Sequence, residues 1–330
     1  MDRFIKQNAL DTENYKWMAP SPWTGRMDGS DDVRLHQRIR LVDMASEWES
    51  EERQAVLLGF GCEEGVRRNQ GRVGAAEGPK ALRKAMASMA WHFDSDFQLL
   101  DAGDVFCDGE KLEVAQQALA DHLDMILTKK ALPIVLGGGH ETAWGSYLGL
   151  RQAYGSAAKI GILNIDAHFD LRLPEKGPNS GTPFWQMADW CQQQGADFDY
   201  CCLGINPAGN TSSLFDRARE LNVDFITTDE LGRSPKEVIL QRLKAFIERQ
   251  DYLYLTIDLD AFDAAFAPGV SAPASLGLSP QMVLPWLELI AASGKLSLCD
   301  LCELNPTYDL DQRTAKLGAS LLYRILMHWQ

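Results

Sequence analysis

No apolar run in this 330-residue chain approaches the roughly 18 to 20 residues that cross a membrane. Behind the charges of the opening MDRFIKQNAL there is no apolar h-region, so no secretory signal is expected and the expected location is the cytoplasm. Positive charge is scarce: 32 Lys and Arg stand against 46 Asp and Glu, a net charge of -14. Such a chain has little with which to neutralise phosphates, which excludes a nucleic-acid binder; solubility accounts for the excess. Internal repeats, low-complexity tracts and linkers are lacking too, so one domain is expected over 51–330, preceded by an arm over 1–50. Cysteine is no framework here. The seven are odd in number and irregularly spaced, and the Cys299/Cys302 pair has no second pair at zinc spacing. Buried free thiols are the expectation, with a redox or zinc half-site at Cys299/Cys302 as the alternative. The Gly137-Gly138-Gly139 run lacks both a P-loop ending and a dinucleotide spacing, which leaves a nucleotide-binding protein only a remote alternative.

What is present is an alternation of apolar runs and amphipathic stretches. Strands are expected at 55–61, 97–103, 132–136, 160–163, 200–205, 223–226, 251–259 and 296–302. Helices are expected from Pro79 through Ala85 and at 113–128, 142–153, 215–221, 234–248 and 314–328, with another opened by Ser279-Pro280. For the 234–248 helix Ser234 is the expected N-cap and Pro235 the first helical residue. Between the first strand and helix lies a basic, glycine-rich loop, 65–74. The arm carries Tyr15, Trp17, Trp23, Pro20, Pro22 and a polar, mostly acidic run from Asp28 to Arg34, and ends in a short helix. Continuously apolar strands alternating with helices imply a parallel sheet covered on both faces, an α/β fold in three layers.

The polar clusters fall where such strands end, which is where open parallel sheets carry their sites. Asp166, His168 and Asp170 follow 160–163 at every second residue, so in an extended segment they share one face. Alone they read equally as metal ligands or as a solvated strand end. His140 follows 132–136, Asp258 and Asp260 follow 252–257, and Glu303 follows 296–302. Crowded carboxylates are costly without cations between them. Four aspartates and two histidines exceed one tetrahedral zinc and suit a pair of Mn2+ ions, which can deprotonate a shared water to a hydroxide nucleophile. The expectation is a metal-dependent hydrolase.

GGGHE at 137–141, NIDAHFD at 164–170, the TIDLDAFD…APGVSAP stretch at 256–273 and ELNP at 303–306 resemble the signature regions of the arginase/agmatinase (ureohydrolase) family. The resemblance runs from about Gly59 to Ile325. It implies a single-domain, three-layer α/β/α sandwich around a mainly parallel, about eight-stranded sheet, two Mn2+ ions per subunit and a homo-oligomer. It further implies that His140, Asp166, Asp170 and Asp258 hold one ion. His168, Asp166, Asp258 and Asp260 hold the other, with Asp166 and Asp258 bridging. Glu303 would then pair with the planar cationic C–N group that family members cleave.

One departure bears on substrate. Arginases and agmatinases carry a His-Gly-x-Pro motif, whereas this chain has Asn179-Ser180-Gly181-Thr182-Pro183. Serine at that position resembles the branch of the family that hydrolyses formimidoylglutamate, as does the loop GVRRNQGRVGAAEGP. Arg172 just beyond the metal motif offers a fork for a carboxylate, of which formimidoylglutamate has two. The expected reaction is hydrolysis of N-formimidoyl-L-glutamate to L-glutamate and formamide, a late step of histidine breakdown. Asp170 would relay the proton, Glu303 hold the charged nitrogen, and Arg172, Asn179 and Ser180 orient the glutamate part. Arg67, Arg68 and Arg72 serve either a dicarboxylate or their acidic neighbours. A guanidino-acid hydrolase or an agmatinase-type enzyme is the alternative, and a non-catalytic relative a further one. Where many relatives have Asp-Pro, this chain has Asp263-Ala264, so a shifted loop is expected there.

Overall fold

The computed structural model describes residues 13–16, 22–29, 33–44 and 53–330. Trp17, Pro20, positions 30–32 of the acidic run and the MDRFIKQNAL segment lie outside the described residues. In chain order the strands are β1 (Tyr15–Lys16), β2 (Arg40–Leu41), β3 (Gln54–Gly61), β4 (Gln98–Phe106), β5 (Leu132–Leu136), β6 (Ile160–Ile165), β7 (Asp199–Ile205), β8 (Asp224–Thr227), β9 (Tyr252–Asp258) and β10 (Leu296–Cys302). They form one sheet in the order β1-β4-β3-β5-β10-β9-β6-β7-β8, with β2 also on β4. Every pairing is parallel except that of β1 with β4. The eight longer strands correspond to the expected ones, and the two-residue β1 and β2 extend the edge at β4.

The helices are α1 (Leu35–Arg38), α2 (Glu64–Arg68), α3 (Gly78–Ala87), α4 (Leu112–Thr128), α5 (Thr142–Tyr154), α6 (Pro183–Gln194), α7 (Ser212–Glu220), α8 (Thr228–Leu231), α9 (Lys236–Glu248), α10 (Pro280–Ala291) and α11 (Arg313–His328). Alternation along each strand sends side chains to two cores. In β9, Leu253, Leu255 and Ile257 face the layer of α3, α9, α10 and α11, while Tyr254 faces α4 to α7. Both faces are therefore covered, which is why these strands read as unbroken apolar runs.

Three local expectations need correction. The cap of α9 is displaced by one residue: Pro235 is the N-cap residue (φ -58°, ψ 141°) and Lys236 the first in the helix. Ser234 is held back by its N–H, which donates to Glu230 O at 2.9 Å at the end of α8. The glycine-rich loop conceals α2, and α6 was not expected at all. Pro183 opens α6 at its first position and Gly195, left-handed at φ 64°, closes it. All seven cysteines are free thiols. Cys299 and Cys302, three apart in a strand, point to opposite faces and cannot share a ligand.

At the edge of the sheet, Tyr15 Oη donates to Ala102 O at 2.6 Å and Trp23 Nε1 donates to Asp101 Oδ2 at 2.6 Å. Neighbouring strands β5, β10, β9 and β6 occupy the middle of the sheet. Their carboxyl ends therefore open side by side. That places His140, Glu303, Asp258 and Asp166 at one mouth.

Candidate metal centre

The loop after β5 can hold His140 only because its first residues are glycines. A Cβ on Gly138 would lie 1.8 Å from Cys62 O. Gly139 N–H donates to that same carbonyl at 3.0 Å, and Glu303 N–H donates to Gly138 O at 2.8 Å. Glu303 Oε1 in turn accepts from His140 N–H at 2.8 Å. The glycine run thus serves close packing against β3 and β10 and leaves no phosphate cradle. The imidazole is aimed by its far nitrogen, with His140 Nε2 3.0 Å from Thr256 Oγ1. Donation there leaves the Nδ1 lone pair facing the cavity. Nδ1 lies 3.2 Å from Asp166 Oδ2, 3.0 Å from Asp170 Oδ2 and 3.1 Å from Asp258 Oδ2.

The second group is Asp166, His168 and Asp260, with His168 Nδ1 3.6 Å from Asp166 Oδ1 and 3.2 Å from Asp260 Oδ2. Asp166 belongs to both groups. Asp258, which the resemblance makes a second bridge, offers Oδ2 to the first group, while its Oδ1 accepts from Asp260 N–H at 2.7 Å and caps the short turn there. The extended geometry expected for Asp166 to Asp170 is also replaced. The strand stops at Ile165, and a loop follows in which Asp166 Oδ1 accepts from His168 N–H at 2.7 Å. Asp170 takes a left-handed φ of 46°, as Glu303 does at 67°. Strained backbone at two adjoining acids marks a site whose geometry the surroundings enforce. Asn210, which the sequence reading passed over, clamps this loop by accepting from Phe169 N–H at 3.1 Å and donating to Ala167 O at 2.8 Å.

Charge in this cluster is unbalanced. Burial pushes the Asp258 carboxyl well above the usual range, helped by Asp260 and Asp166, and burial with Asp166 raises Asp170. Asp260 drives His168 upward, while Asp166, Asp170 and Asp258 raise His140 against its burial. Asp166 alone is held below the carboxylate range, by both imidazoles and despite its burial. Among the described residues of this cluster, the two imidazoles are the groups placed to offset the acids. Buried His140 Nδ1 and Asp260 Oδ1 have no hydrogen-bond partner. A lone pair surrounded by carboxylate oxygens from separate strand ends is a donor set for hard-to-borderline divalent ions such as Mn2+.

Above the cluster opens a cavity of about 290 Å³ lined by His140, His168, Asp170, Asp258, Asp260 and Glu303 on one side and by Asn69, Arg72, Arg172 and Ser180 on the other. Burial, with Glu141 and Asp260 nearby, pushes Glu303 up to about 8. The arginines divide. Arg67 pairs with Glu63 and Glu64; Arg68 pairs with Glu64 and Glu113 and donates to Pro178 O. Arg72 donates to the carbonyls of Val270 and Ser271 and lies over the Tyr308 ring. Arg172 forms no side-chain bond with the described residues and is exposed at the cavity mouth. Asn179 is not brought to the cavity: its amide closes its own turn, accepting from Gly181 N–H at 2.9 Å and donating to Gly177 O at 3.3 Å. The carboxamide at the cavity belongs to Asn69, which donates to Ser180 Oγ at 3.0 Å. Ala264, where a proline would have no N–H, donates to Ala274 O at 2.7 Å and ties that loop down.

A model of the arginase family matches residues 53–328. The chain is 44% identical over 313 residues to the formimidoylglutamase of Geobacillus thermodenitrificans, covering 94% of this chain and 96% of that one. It is 46% identical over 318 residues to the formimidoylglutamase of Vibrio vulnificus, covering 92% and 93%. Its fold is similar to that of Trypanosoma cruzi formiminoglutamase with Mn2+, at a TM-score of 0.78 and 25% identity over 90% of this chain and 98% of that one. It also matches formimidoylglutamase from Bacillus subtilis, at a TM-score of 0.79 and 21% identity over 92% and 94%.

Proposed function

Since the chain belongs to the arginase family, we infer that its cavity hydrolyses N-formimidoyl-L-glutamate to L-glutamate and formamide. The observation that carries this reading is the approach of His140 Nδ1 to within 3.2 Å of three carboxylate oxygens, beneath a cavity that ends in an unpaired arginine. The residues fit a pair of Mn2+ ions. His140, Asp166, Asp170 and Asp258 would hold one, and Asp166, His168 and Asp260 the other. Bound there, the metals would supply a nucleophilic water at neutral pH and stabilise the charge that develops on the formimino group.

The chain's own groups do the rest. The formimino cation lies against Glu303, whose carboxyl, pushed up to about 8 chiefly by burial, is brought down by a cation beside it. Addition of water at the formimino carbon and cleavage of its bond to the α-nitrogen release formamide. Asp170 is the carboxylate placed to carry the water's proton to the departing amine. Arg172 and Ser180 hold the glutamate carboxylates, fixing the reacting carbon over the acids. The soluble setting in which we place it is the cytoplasm, within histidine breakdown, with residues 51–330 as one catalytic domain, 1–50 as its arm, and several copies assembled as a homo-oligomer.

Purified protein loaded with Mn2+ should release glutamate from formimidoylglutamate and leave arginine, agmatine and 4-guanidinobutyrate untouched. Turnover of guanidinobutyrate in place of formimidoylglutamate would move the assignment to a guanidino-acid hydrolase. Such an enzyme would use the same metals and the same Arg172.

A further inference from the structure

We propose that Asn69, contributed by the glycine-rich loop and not by any metal-bearing segment, determines specificity by setting the direction of the Ser180 hydroxyl at the carboxylate end of the cavity. The proposal deepens the reading above and rests on it. Asn69 follows directly on α2, and its amide N–H donates to Ser180 Oγ at 3.0 Å. With one lone pair of that oxygen turned to Asn69, the O–H of the buried Ser180 is directed away from Asn69 and left to donate elsewhere. A Cβ built on Gly181 would lie 3.0 Å from Arg172 Cδ and 3.3 Å from Asn69 Nδ2, so all three side chains meet over one glycine. Arg172 adds unpaired guanidinium donors. Arginine and hydroxyl donors together suit a carboxylate, and the guanidinium repels an ammonium.

Asn69 is also locked in place. Neighbouring Arg68 donates to Glu113 Oε1 at 2.6 Å, Glu110 O at 2.8 Å and Pro178 O at 3.2 Å, fastening the end of α2 to the segment that carries Ser180. Two loops of unrelated position in the chain are thus clamped so that one amide meets one hydroxyl. An aspartate at 69 would be nearly isosteric but opposite in sense. The hydroxyl would turn back to donate to it, and its charge would engage Arg172. The wall would then repel a carboxylate.

The test compares wild type, Asn69→Asp and Asn69→Ala, each loaded with Mn2+, in two measurements. The first is KM and kcat for formimidoylglutamate; the second is calorimetric binding of L-glutamate, with putrescine as the cationic probe. Asn69→Asp should raise KM and the glutamate Kd by roughly 10- to 100-fold, the value of a charge-assisted hydrogen bond, with kcat within about threefold. Asn69→Ala, which keeps the hydroxyl but frees it to rotate, should weaken both by less than about tenfold. Equal glutamate affinity in wild type and Asn69→Asp, or a loss confined to kcat, overturns the proposal. Should wild type not turn over formimidoylglutamate, the assigned reaction fails. Glutamate binding then still decides whether Asn69 shapes a carboxylate site.

Discussion

Two clusters of buried acidic side chains among the described residues are treated in opposite ways. On the α3 side of β4, Asp101 receives Arg83 at both oxygens, with Nε to Oδ2 at 2.9 Å and Nη2 to Oδ1 at 2.9 Å. Trp23 Nε1 and Gly103 N–H complete its shell, and Arg83 Nη1 reaches Asp104 at 2.6 Å. A fixed guanidinium, itself fully buried, answers every oxygen of Asp101. At the mouth of β5, β9 and β6, four aspartates face two imidazoles, and His140 Nδ1 and Asp260 Oδ1 are left without partners. The first arrangement is closed and serves architecture. The second is open, and its missing charge is the shape of a ligand.

Removing a carboxylate from each place should therefore break different things. In the open cluster, Asp258→Ala should lower turnover by more than about 100-fold and lower the Mn2+ content measured on the purified protein. Stability of that variant without metal should stay level or rise, since one repelling acid is gone. In the closed cluster the sensitive member is the cation. Arg83→Met strands the buried Asp101 and the partly exposed Asp104 and should cost about 3–5 kcal/mol in urea unfolding of the Mn-loaded protein. The molecules that remain folded should turn over normally. A large loss of turnover per folded Arg83→Met molecule would erase the distinction drawn here.

A smaller effect probes how the open cluster is aimed. Thr256 Oγ1 links His140 Nε2 to the buried Asp300, which also receives Tyr254 Oη at 2.5 Å. Thr256→Val keeps the volume and removes the link. Metal binding should weaken by about 10–100-fold, the usual consequence of losing a partner behind a metal-bound histidine. Titration of Mn2+ into stripped protein measures this directly. Unchanged affinity would mean that packing alone orients the imidazole.

The acids of the open cluster and its surroundings should also respond to pH once metal is stripped away. Glu303, raised to about 8, and Glu141, raised to about 7 by burial, are both above their unfolded values near 4.5. A group with a raised folded pKa contributes stability that is complete below the unfolded pKa and disappears as pH rises through the folded one. The chelated protein should therefore lose melting temperature steadily from about pH 4.5 to 8. Asp166 works in the opposite sense, but its window lies below its unfolded value and does not intrude. Added Mn2+ should flatten the slope by stabilising the charged acids. Melting curves with chelator and with Mn2+ decide it, and parallel slopes would count against a cation-hungry cluster.

How much of this could be read beforehand follows from the same contrast. Runs such as Leu253 to Ile257 announce themselves because both faces are buried, and the acids at their ends stand out against apolar neighbours. The strand ends where the acids and histidines cluster, the sheet and its eight long strands were legible for that reason. The course of the chain between strands was not. Nothing in Asp166 to Asp170 declares a left-handed Asp170, since only neighbours such as Asn210 enforce it. Asn179 and Asn69 are both asparagines beside turn residues. Which one faces the cavity depends on Arg68 tying two distant segments together, a contact no local pattern encodes. Helix α6 did carry a signal, Phe184, Met187, Ala188 and Cys191 at helical spacing behind Pro183, and the sequence reading passed over it.

The smallest expected effect tests whether the basic loop holds one role or two. Arg67 and Arg68 are consecutive and both meet Glu64, so the sequence treats them alike. Their surroundings do not. Arg67 is more than half exposed, and its pairs with Glu63 and Glu64 at 3.2 and 3.3 Å lie on the surface of α2. Exposed pairs of this kind contribute about 0–1 kcal/mol, and salt screens them. Arg68 is three-quarters covered and reaches Glu113 and Pro178 O outside its own helix. Arg67→Ala should leave the melting temperature, KM and kcat of the Mn-loaded protein close to wild type. Arg68→Ala should raise KM severalfold with little change in kcat, because freeing the end of α2 lets Asn69 leave Ser180. Equal effects from the two would mean that the loop acts only as a patch of charge, and that position within it does not matter.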